Sequence, residues 1–159
     1  MNMHGLFGGT TRVEMSRSAR KAGFTLLELM VVVAIIAIIA MIALPSYVDS
    51  ITKTNRRAAE ACLSQYANYM ERYYTTNMSY AKDTAGTAIS LPPMDCNSPQ
   101  QTAKNYQYSF NPAPSLATYT VQAQPIGTQA ARDKLCATLT LNQAGTRVVS
   151  GTGTVAQCW

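Results

Sequence analysis

The sequence contains a single histidine, His4, which lies ahead of every segment that shows structural periodicity. Without histidine, the rest of the chain can form neither a Ser-His-Asp nor a Cys-His nucleophilic site, and it cannot bind a metal through imidazole. The acidic residues lack the spacing of a calcium loop or of a catalytic carboxylate pair, and no glycine-rich loop is followed by a lysine that could hold phosphate. These absences argue against an enzyme and predict neither a cofactor nor a metal site.

Charged residues are also scarce, at 13% of the chain. Because many of the basic ones lie near the N-terminus, the net charge of the whole chain overstates that of the rest. The formal net charge is +5, but residues 1–23 hold four of the 13 basic side chains and one of the eight acidic ones. From residue 24 onward nine basic and seven acidic residues remain, a net charge of +2. The overall basicity is therefore weak support for a nucleic-acid partner.

The dominant feature that is present is an apolar run of 21 residues from Phe24 to Leu44. As a helix it would be about 30 Å long, the thickness of the hydrocarbon core of a bilayer. A cleaved secretory signal would have a shorter apolar region, and a domain of this size rarely buries a helix that is apolar all round. Because basic residues precede the run, the positive-inside tendency predicts a single span, with residues 1–23 in the cytoplasm and residues 45–159 outside.

Glu28 interrupts the apolar run. A carboxylate in the hydrocarbon region costs about 2.5 to 3.5 kcal/mol, which marks it as a candidate functional residue. Gly23, just before the run, is small enough for a membrane protease to approach the backbone, and cleavage there would create a new α-amine on Phe24. In a bundle of such helices, the amine of one chain could neutralise the carboxylate of its neighbour, so Glu28 would set the register of assembly.

The segment from Gly23 to Val33, Gly-Phe-Thr-Leu-Leu-Glu-Leu-Met-Val-Val-Val, resembles the class III leader and mature start of type IV pilins and type II secretion pseudopilins. The resemblance implies cleavage after Gly23 by prepilin peptidase, N-methylation of Phe24 by the same enzyme, and a role for Glu28 in methylation and filament packing. It also implies other pilin subunits and the inner-membrane pilus assembly machinery as partners. A start at Met15 would give a nine-residue leader that resembles those of the family more closely, so we expect translation to begin there.

Beyond the run, Pro45 is expected to kink the helix without ending it. Apolar residues then recur at three- and four-residue steps to about residue 75, while charged residues fill the other face. Asp49 with Lys53, and Arg56 with Glu60, are each four residues apart and are expected to pair on that face. The tyrosines of the apolar stripe are predicted to be core residues.

Four cysteines lie beyond the apolar run, and an even number in an oxidising compartment predicts two disulfides. Residues 75–104 lack periodicity and are predicted to form a long loop. Cys62 lies on the apolar stripe of the helix, so a bond to Cys96 would tie this loop across the helix. A bond from Cys136 to Cys158 would close the C-terminal region and stabilise it by about 3 kcal/mol.

Strand patterns are confined to residues 105–159. Alternating apolar residues and one hairpin loop predict four strands, near Tyr106–Phe110, Tyr119–Ala123, Cys136–Leu141 and Arg147–Val149. An antiparallel sheet of four strands has an apolar face, which the amphipathic half of the helix would cover. The predicted fold class is α+β. A long helix with a membrane half at residues 24–45 and an amphipathic half packs on a four-stranded antiparallel sheet, in a globular head at residues 46–159.

The segment from Lys134 to Thr146, together with Cys158 and Trp159, resembles the C-terminal disulfide-bounded region of type IV minor pilins of the PilE type. The pair Cys62 and Cys96 departs from the pattern of that group. The resemblance implies a minor pilin that is stored in the bacterial inner membrane with its head in the periplasm. It is then expected to join a cell-surface filament and to support pilus biogenesis, twitching motility and adhesion.

Two other functions stay open from the sequence. A type II secretion pseudopilin shares the leader but builds a periplasmic piston. A pilin that captures DNA would need the basic residues of the head to converge on one face, namely Lys82, Lys104, Arg132, Lys134 and Arg147.

Overall fold

A computed structural model describes residues 23–159, and the chain divides into two compact units after Ile39. The predicted leader and the expected start at Met15 lie outside the described residues. The longest element is the helix α1, which runs Leu26–Asn77 and contains Pro45. It ends two residues later than the sequence suggests, and the kink expected at Pro45 stays a prediction.

The second half of α1 is amphipathic and provides one wall of the head. Its buried side chains recur at steps of three and four residues, as on one face of a helix: Thr52, Arg56, Ala59, Cys62, Leu63, Tyr66 and Met70. On the exposed face the predicted pair of Lys53 and Asp49 is confirmed, with 2.8 Å between Nζ and Oδ2. The predicted pair of Arg56 and Glu60 is wrong. Arg56 lies on the buried stripe and forms an ion pair with Asp133 instead.

The other wall of the head is a four-stranded antiparallel sheet in the order β1-β2-β3-β4. The strands are β1 at Tyr106–Phe110, β2 at Thr120–Pro125, β3 at Leu139–Asn142 and β4 at Arg147–Val149. Tyr108 pairs with Ala123 across β1 and β2, and Val121 pairs with Leu141 across β2 and β3. Because successive side chains of a strand point to opposite faces, this register puts one apolar face against α1. The predicted α+β class and the meander topology are confirmed.

The core between helix and sheet is rich in tyrosine. Tyr66 of α1 is fully buried against Tyr108 of β1, with ring centroids 5.4 Å apart. Tyr80 lies between two further rings, 4.5 Å from Tyr74 and 4.9 Å from Tyr119. Aromatic pairs at these separations add to the stabilisation from buried area. The prediction that the tyrosines of the stripe are core residues is confirmed for Tyr66.

The C-terminal region differs from the predicted pattern in three places. Two short helices, α2 at Gly127–Arg132 and α3 at Val155–Cys158, were not predicted. The predicted third strand began at Cys136, but β3 begins at Leu139. The reason is that Ala137 takes a positive φ of 51° and donates its N–H to the Asp133 carbonyl in the turn after α2. The turn covers residues 134–136, and β3 begins only after Ala137 and Thr138.

The long loop after α1 is fixed by several contacts. Cys62 is bonded to Cys96 and Cys136 to Cys158, which are the pairs expected from the sequence. The Tyr66 hydroxyl donates a hydrogen bond of 3.2 Å to the Pro92 carbonyl, and a short 3-10 turn spans Asp95–Asn97 beside the first disulfide. The loop therefore packs along the helix that precedes it.

Candidate assembly and binding surfaces

The first candidate surface is the apolar beginning of the described chain. Every residue from Gly23 to Ile39 is exposed, and Phe24 keeps 82% of its surface accessible. By length and composition α1 contains a segment that can cross a bilayer. Soluble monomers rarely expose apolar surface on this scale, so the segment requires a membrane or other protein chains around it.

Gly23 lies at the start of this segment in open space. A Cβ atom built on Gly23 meets no other atom within 4 Å. Within the described residues the fold therefore places no steric limit on a side chain at this position. If a small residue is needed at position 23, the need must come from an enzyme that approaches the backbone.

Glu28 occupies the first turn of α1. Its N–H donates a 3.1 Å hydrogen bond to Thr25 Oγ1, which satisfies one of the free amides at the helix start. The pattern Thr-x-x-Glu is that of a capping box, and a carboxylate here also faces the positive end of the helix dipole. Across residues 23–159 no cation lies within ion-pair distance of Glu28. The residue thus has a local role in the helix start, which sequence reasoning missed, besides any role between chains.

The second candidate surface is a cleft of about 260 Å³ in the head, beside α3. Four of its lining residues come from α1, namely Lys53, Arg56, Arg57 and Glu60, and four from the C-terminal region, namely Ala156, Gln157, Cys158 and Trp159. The guanidinium of Arg147 in β4 lies 5.0 Å from the centroid of the Trp159 ring, within the range of a cation–π contact. The cleft therefore combines exposed cations with an aromatic ring.

Charged groups of both signs meet at this cleft. Burial raises the pKa of Glu60, while the neighbouring guanidinium groups of Arg56, Arg57 and Arg147 oppose the rise. Arg56 is neutralised by Asp133, and Lys53 by Asp49. Arg57 and Arg147 lie near the carboxylate of Glu60, so two guanidinium groups meet beside the cleft.

A buried polar network underlies the cleft. Arg56 Nη1 lies 3.0 Å from Asp133 Oδ1 and also contacts the sulfur of Cys136. Asp133 Oδ2 accepts hydrogen bonds from Tyr106 Oη at 3.2 Å and from Gln129 Nε2 at 3.3 Å. Burial, and secondly the charge of Asp133, raise the pKa of Tyr106. The network joins α1, the turn after α2 and β1. Sequence reasoning did not predict it because Arg56 and Asp133 are 77 residues apart.

The five basic residues that a DNA-binding face would need do not come together. Lys104 lies two residues before the start of β1, which is at one edge of the sheet, whereas Arg147 lies in β4, at the other edge. Lys82 lies in the loop after α1, and Arg132 ends α2. Of the five, Arg147 contacts a residue that lines the cleft beside α3, the ring of Trp159.

The chain begins its long helix with exposed apolar residues, and the second half of that helix packs on an antiparallel sheet. This combination is typical of a type IV pilin. A family model described as type IV minor pilin ComP, DNA uptake sequence receptor, matches residues 45–140, and the prokaryotic N-terminal methylation motif matches residues 18–44. The chain belongs to the type IV minor pilin ComP family. This confirms the predicted minor pilin and favours it over the pseudopilin.

Two solved structures are similar to about two thirds of this chain. One is a type IV pilin from Shewanella oneidensis, with 25% identity and a TM-score of 0.45, covering 68% of this chain and 97% of that one. The other is the non-core minor pilin PilV of Neisseria meningitidis, with 23% identity and a TM-score of 0.47, covering 69% of this chain and 94% of that one. Comparison with curated proteins gives no match.

Proposed function

We propose that this minor pilin is held in the inner membrane by residues 24–45 until prepilin peptidase cuts it after Gly23 and methylates the new amine of Phe24. It then joins other pilin subunits through the apolar half of α1. The observation that carries the proposal is that every residue from 23 to 39 is exposed, in a segment that matches the N-terminal methylation motif. This apolar surface is covered by lipid before assembly and by the helices of neighbouring subunits in the filament.

Glu28 has a defined part in this assembly. Its carboxylate forms an ion pair with the protonated Phe24 amine of a neighbouring subunit. The two opposite charges are then buried together. The pair fixes the register between adjacent helices, because a slip of either helix would strand a charge in apolar surroundings.

The membrane stage follows from the same residues. The basic leader stays in the cytoplasm and the head lies in the periplasm, where the assembly machinery of the inner membrane collects the subunit. Both disulfides lie in the head, which suits an oxidising compartment. The assembled subunit is displayed at the cell surface.

The cleavage site can be tested with Gly23→Val, expressed together with a prepilin peptidase. Since the fold leaves space at Gly23, the valine variant should insert normally and yet stay uncut, because its side chain blocks the enzyme's approach. Intact mass spectrometry of the membrane fraction reads the outcome. Ala34→Val, in the exposed part of α1, is the matched control and should be cleaved. A mature mass for the Gly23→Val variant would refute the site.

A second function, DNA binding by the head, is favoured by two observations. The matching family model is described as a DNA uptake sequence receptor, and it covers residues that form most of the head. Arg57 and Trp159 line the cleft beside α3, and Arg147 lies over the Trp159 ring. Arginine for phosphate and an aromatic ring for stacking are the groups that nucleic-acid surfaces use. We propose that DNA binds across this cleft, rather than on the five-residue face suggested by the sequence.

DNA binding can be tested by fluorescence anisotropy of labelled duplex with the full chain in detergent, over a series of salt concentrations. Arg57→Gln should weaken binding and lower the slope of log affinity against log salt by about one phosphate contact. Arg72→Gln removes an exposed arginine of α1 that does not line the cleft, so it serves as the control. Equal slopes for the two variants would exclude the cleft as the DNA site.

A further inference from the structure

A second concavity lies at the start of the head, where α1 leaves the apolar run. It measures about 400 Å³, its walls are mainly apolar, and it is lined by Leu44, Pro45, Val48, Asp49, Thr52 and Arg132. Five of these residues are on α1, and Arg132 closes the groove from α2. The guanidinium group of Arg132 therefore lies beside an apolar groove.

Buried contacts on both sides of Arg132 in the sequence hold it in this position. Gln129 Nε2 donates a 3.0 Å hydrogen bond to the Thr52 carbonyl of α1, and Gln129 Oε1 accepts one of 3.2 Å from Asn55. The next residue, Asp133, forms a buried ion pair with Arg56 of α1. The side chain of Arg132 is itself exposed, but the backbone that carries it is fixed to α1.

The charge of Arg132 has no counter-ion among residues 23–159. Asp49 is the one carboxylate in the groove, and it is paired with Lys53 at 2.8 Å. The C-terminal position of Arg132 in α2 is favourable because of the helix dipole. The helix dipole explains why a cation lies at the end of α2. It does not explain why the groove beneath this cation has apolar walls.

The position of the groove along α1 indicates what fills it. The apolar run from Phe24 to Leu44 is just long enough for the hydrocarbon core, so Leu44 and Pro45 come at the level of the lipid headgroups. Tyr47, 65% exposed, follows directly and has the amphipathic side chain that is enriched at that level. The groove is therefore continuous with the segment that contacts lipid.

We propose that this groove binds a phospholipid of the leaflet on the head's side, with the Arg132 guanidinium on the phosphate and the first acyl carbons against Leu44 and Val48. A planar guanidinium can hold two phosphate oxygens at once, and partial exclusion of water strengthens the contact. The lipid holds the head against the membrane before assembly, and it is given up when the subunit enters the filament. This inference rests on the membrane-stored stage of the proposed function.

The test uses the full chain in nanodiscs made from equal parts of phosphatidylglycerol and phosphatidylcholine, with retained phospholipid counted by native mass spectrometry. Arg132→Gln should weaken the affinity for the phospholipid in the groove about fivefold, the factor that one cation near an anionic membrane surface typically contributes, and so lower the number of phospholipids retained. Arg132→Lys should retain an intermediate amount of lipid, since it keeps the charge but loses the contact with two phosphate oxygens at once. Lys134→Gln, an exposed lysine outside the groove, is the matched control and should retain the wild-type amount.

Three results would overturn the inference. Equal lipid retention by Arg132→Gln and Lys134→Gln would exclude the groove as a lipid site and leave the membrane-stored stage intact. Normal retention by Arg132→Gln, together with its depletion from sheared filaments, would assign the groove to a neighbouring subunit. Failure of the wild-type chain to enter nanodiscs at all would refute the membrane-stored stage itself.

Discussion

The two halves of α1 differ in how their surfaces are satisfied. From Gly23 to Ile39 every side chain is exposed although almost all are apolar. From Thr52 to Met70 one stripe is buried by the sheet and loops of the same chain, and it includes a charged residue, Arg56. Among residues 23–159 nothing buries the first half, whereas the stripe of the second half is buried by the head. The comparison separates an assembly surface from a folding surface within one helix.

The largest effect on the folding half is expected from Arg56. Arg56→Ala leaves Asp133 buried without its counter-ion, which typically costs about 3 to 5 kcal/mol of unfolding free energy. Lys53→Ala breaks the exposed pair with Asp49 and should cost less than about 1 kcal/mol. Denaturant unfolding of the full chain in detergent, with disulfides intact, measures both. A similar small loss for the two variants would show that the buried network does not hold the head together.

A smaller effect should appear in the tyrosine core at high pH. Burial, and secondly the hydrogen bond to Glu71, raise the pKa of Tyr80 to about 12, from an ordinary value of about 10. The phenol is therefore neutral in the folded state where the unfolded chain already ionises. Its contribution is complete below about pH 10 and is lost as the pH rises toward 12.

The measurement is the free energy of unfolding of the full chain between pH 8 and 12. The wild type should lose stability above about pH 10, and Tyr80→Phe should lose less over the same interval because the phenol is gone. Part of the loss should persist in the variant, since burial also raises the pKa of Tyr108 to about 12. Identical pH profiles for wild type and Tyr80→Phe would contradict the assignment.

Local patterns predicted much of this fold. The apolar run, the three- and four-residue stripe of α1 and the alternation in β1 and β2 each depend on residues close in sequence, so periodicity alone indicates them. The helix α2 was missed because Gly127–Arg132 is too short to show a period. The beginning of β3 was misplaced because the positive φ of Ala137 leaves no sequence signal.

The candidate binding cleft was largely invisible in the sequence. Arg56 has the helical spacing of a core residue, yet its charge suggested the solvent face and a partner four residues away. Its true partner, Asp133, is 77 residues distant and is brought near by the α2 turn. Likewise, only the folded head shows that Arg57 of α1 and Trp159 line one cleft. By contrast, Gly23, Phe24 and Glu28 lie within six residues, and a short motif is sufficient to find them.

The central claim is that the charge of Glu28, and not only its place in the helix start, directs assembly. Glu28→Gln separates the two roles, because glutamine also fits the third position of a capping box and removes only the charge. Glu28→Leu removes both. The deciding measurement is the ratio of each variant in sheared surface filaments to that in the membrane. We predict that the Gln and Leu variants are both cleaved, stable in the membrane and depleted from filaments, whereas a wild-type ratio for Glu28→Gln would contradict the charge pairing.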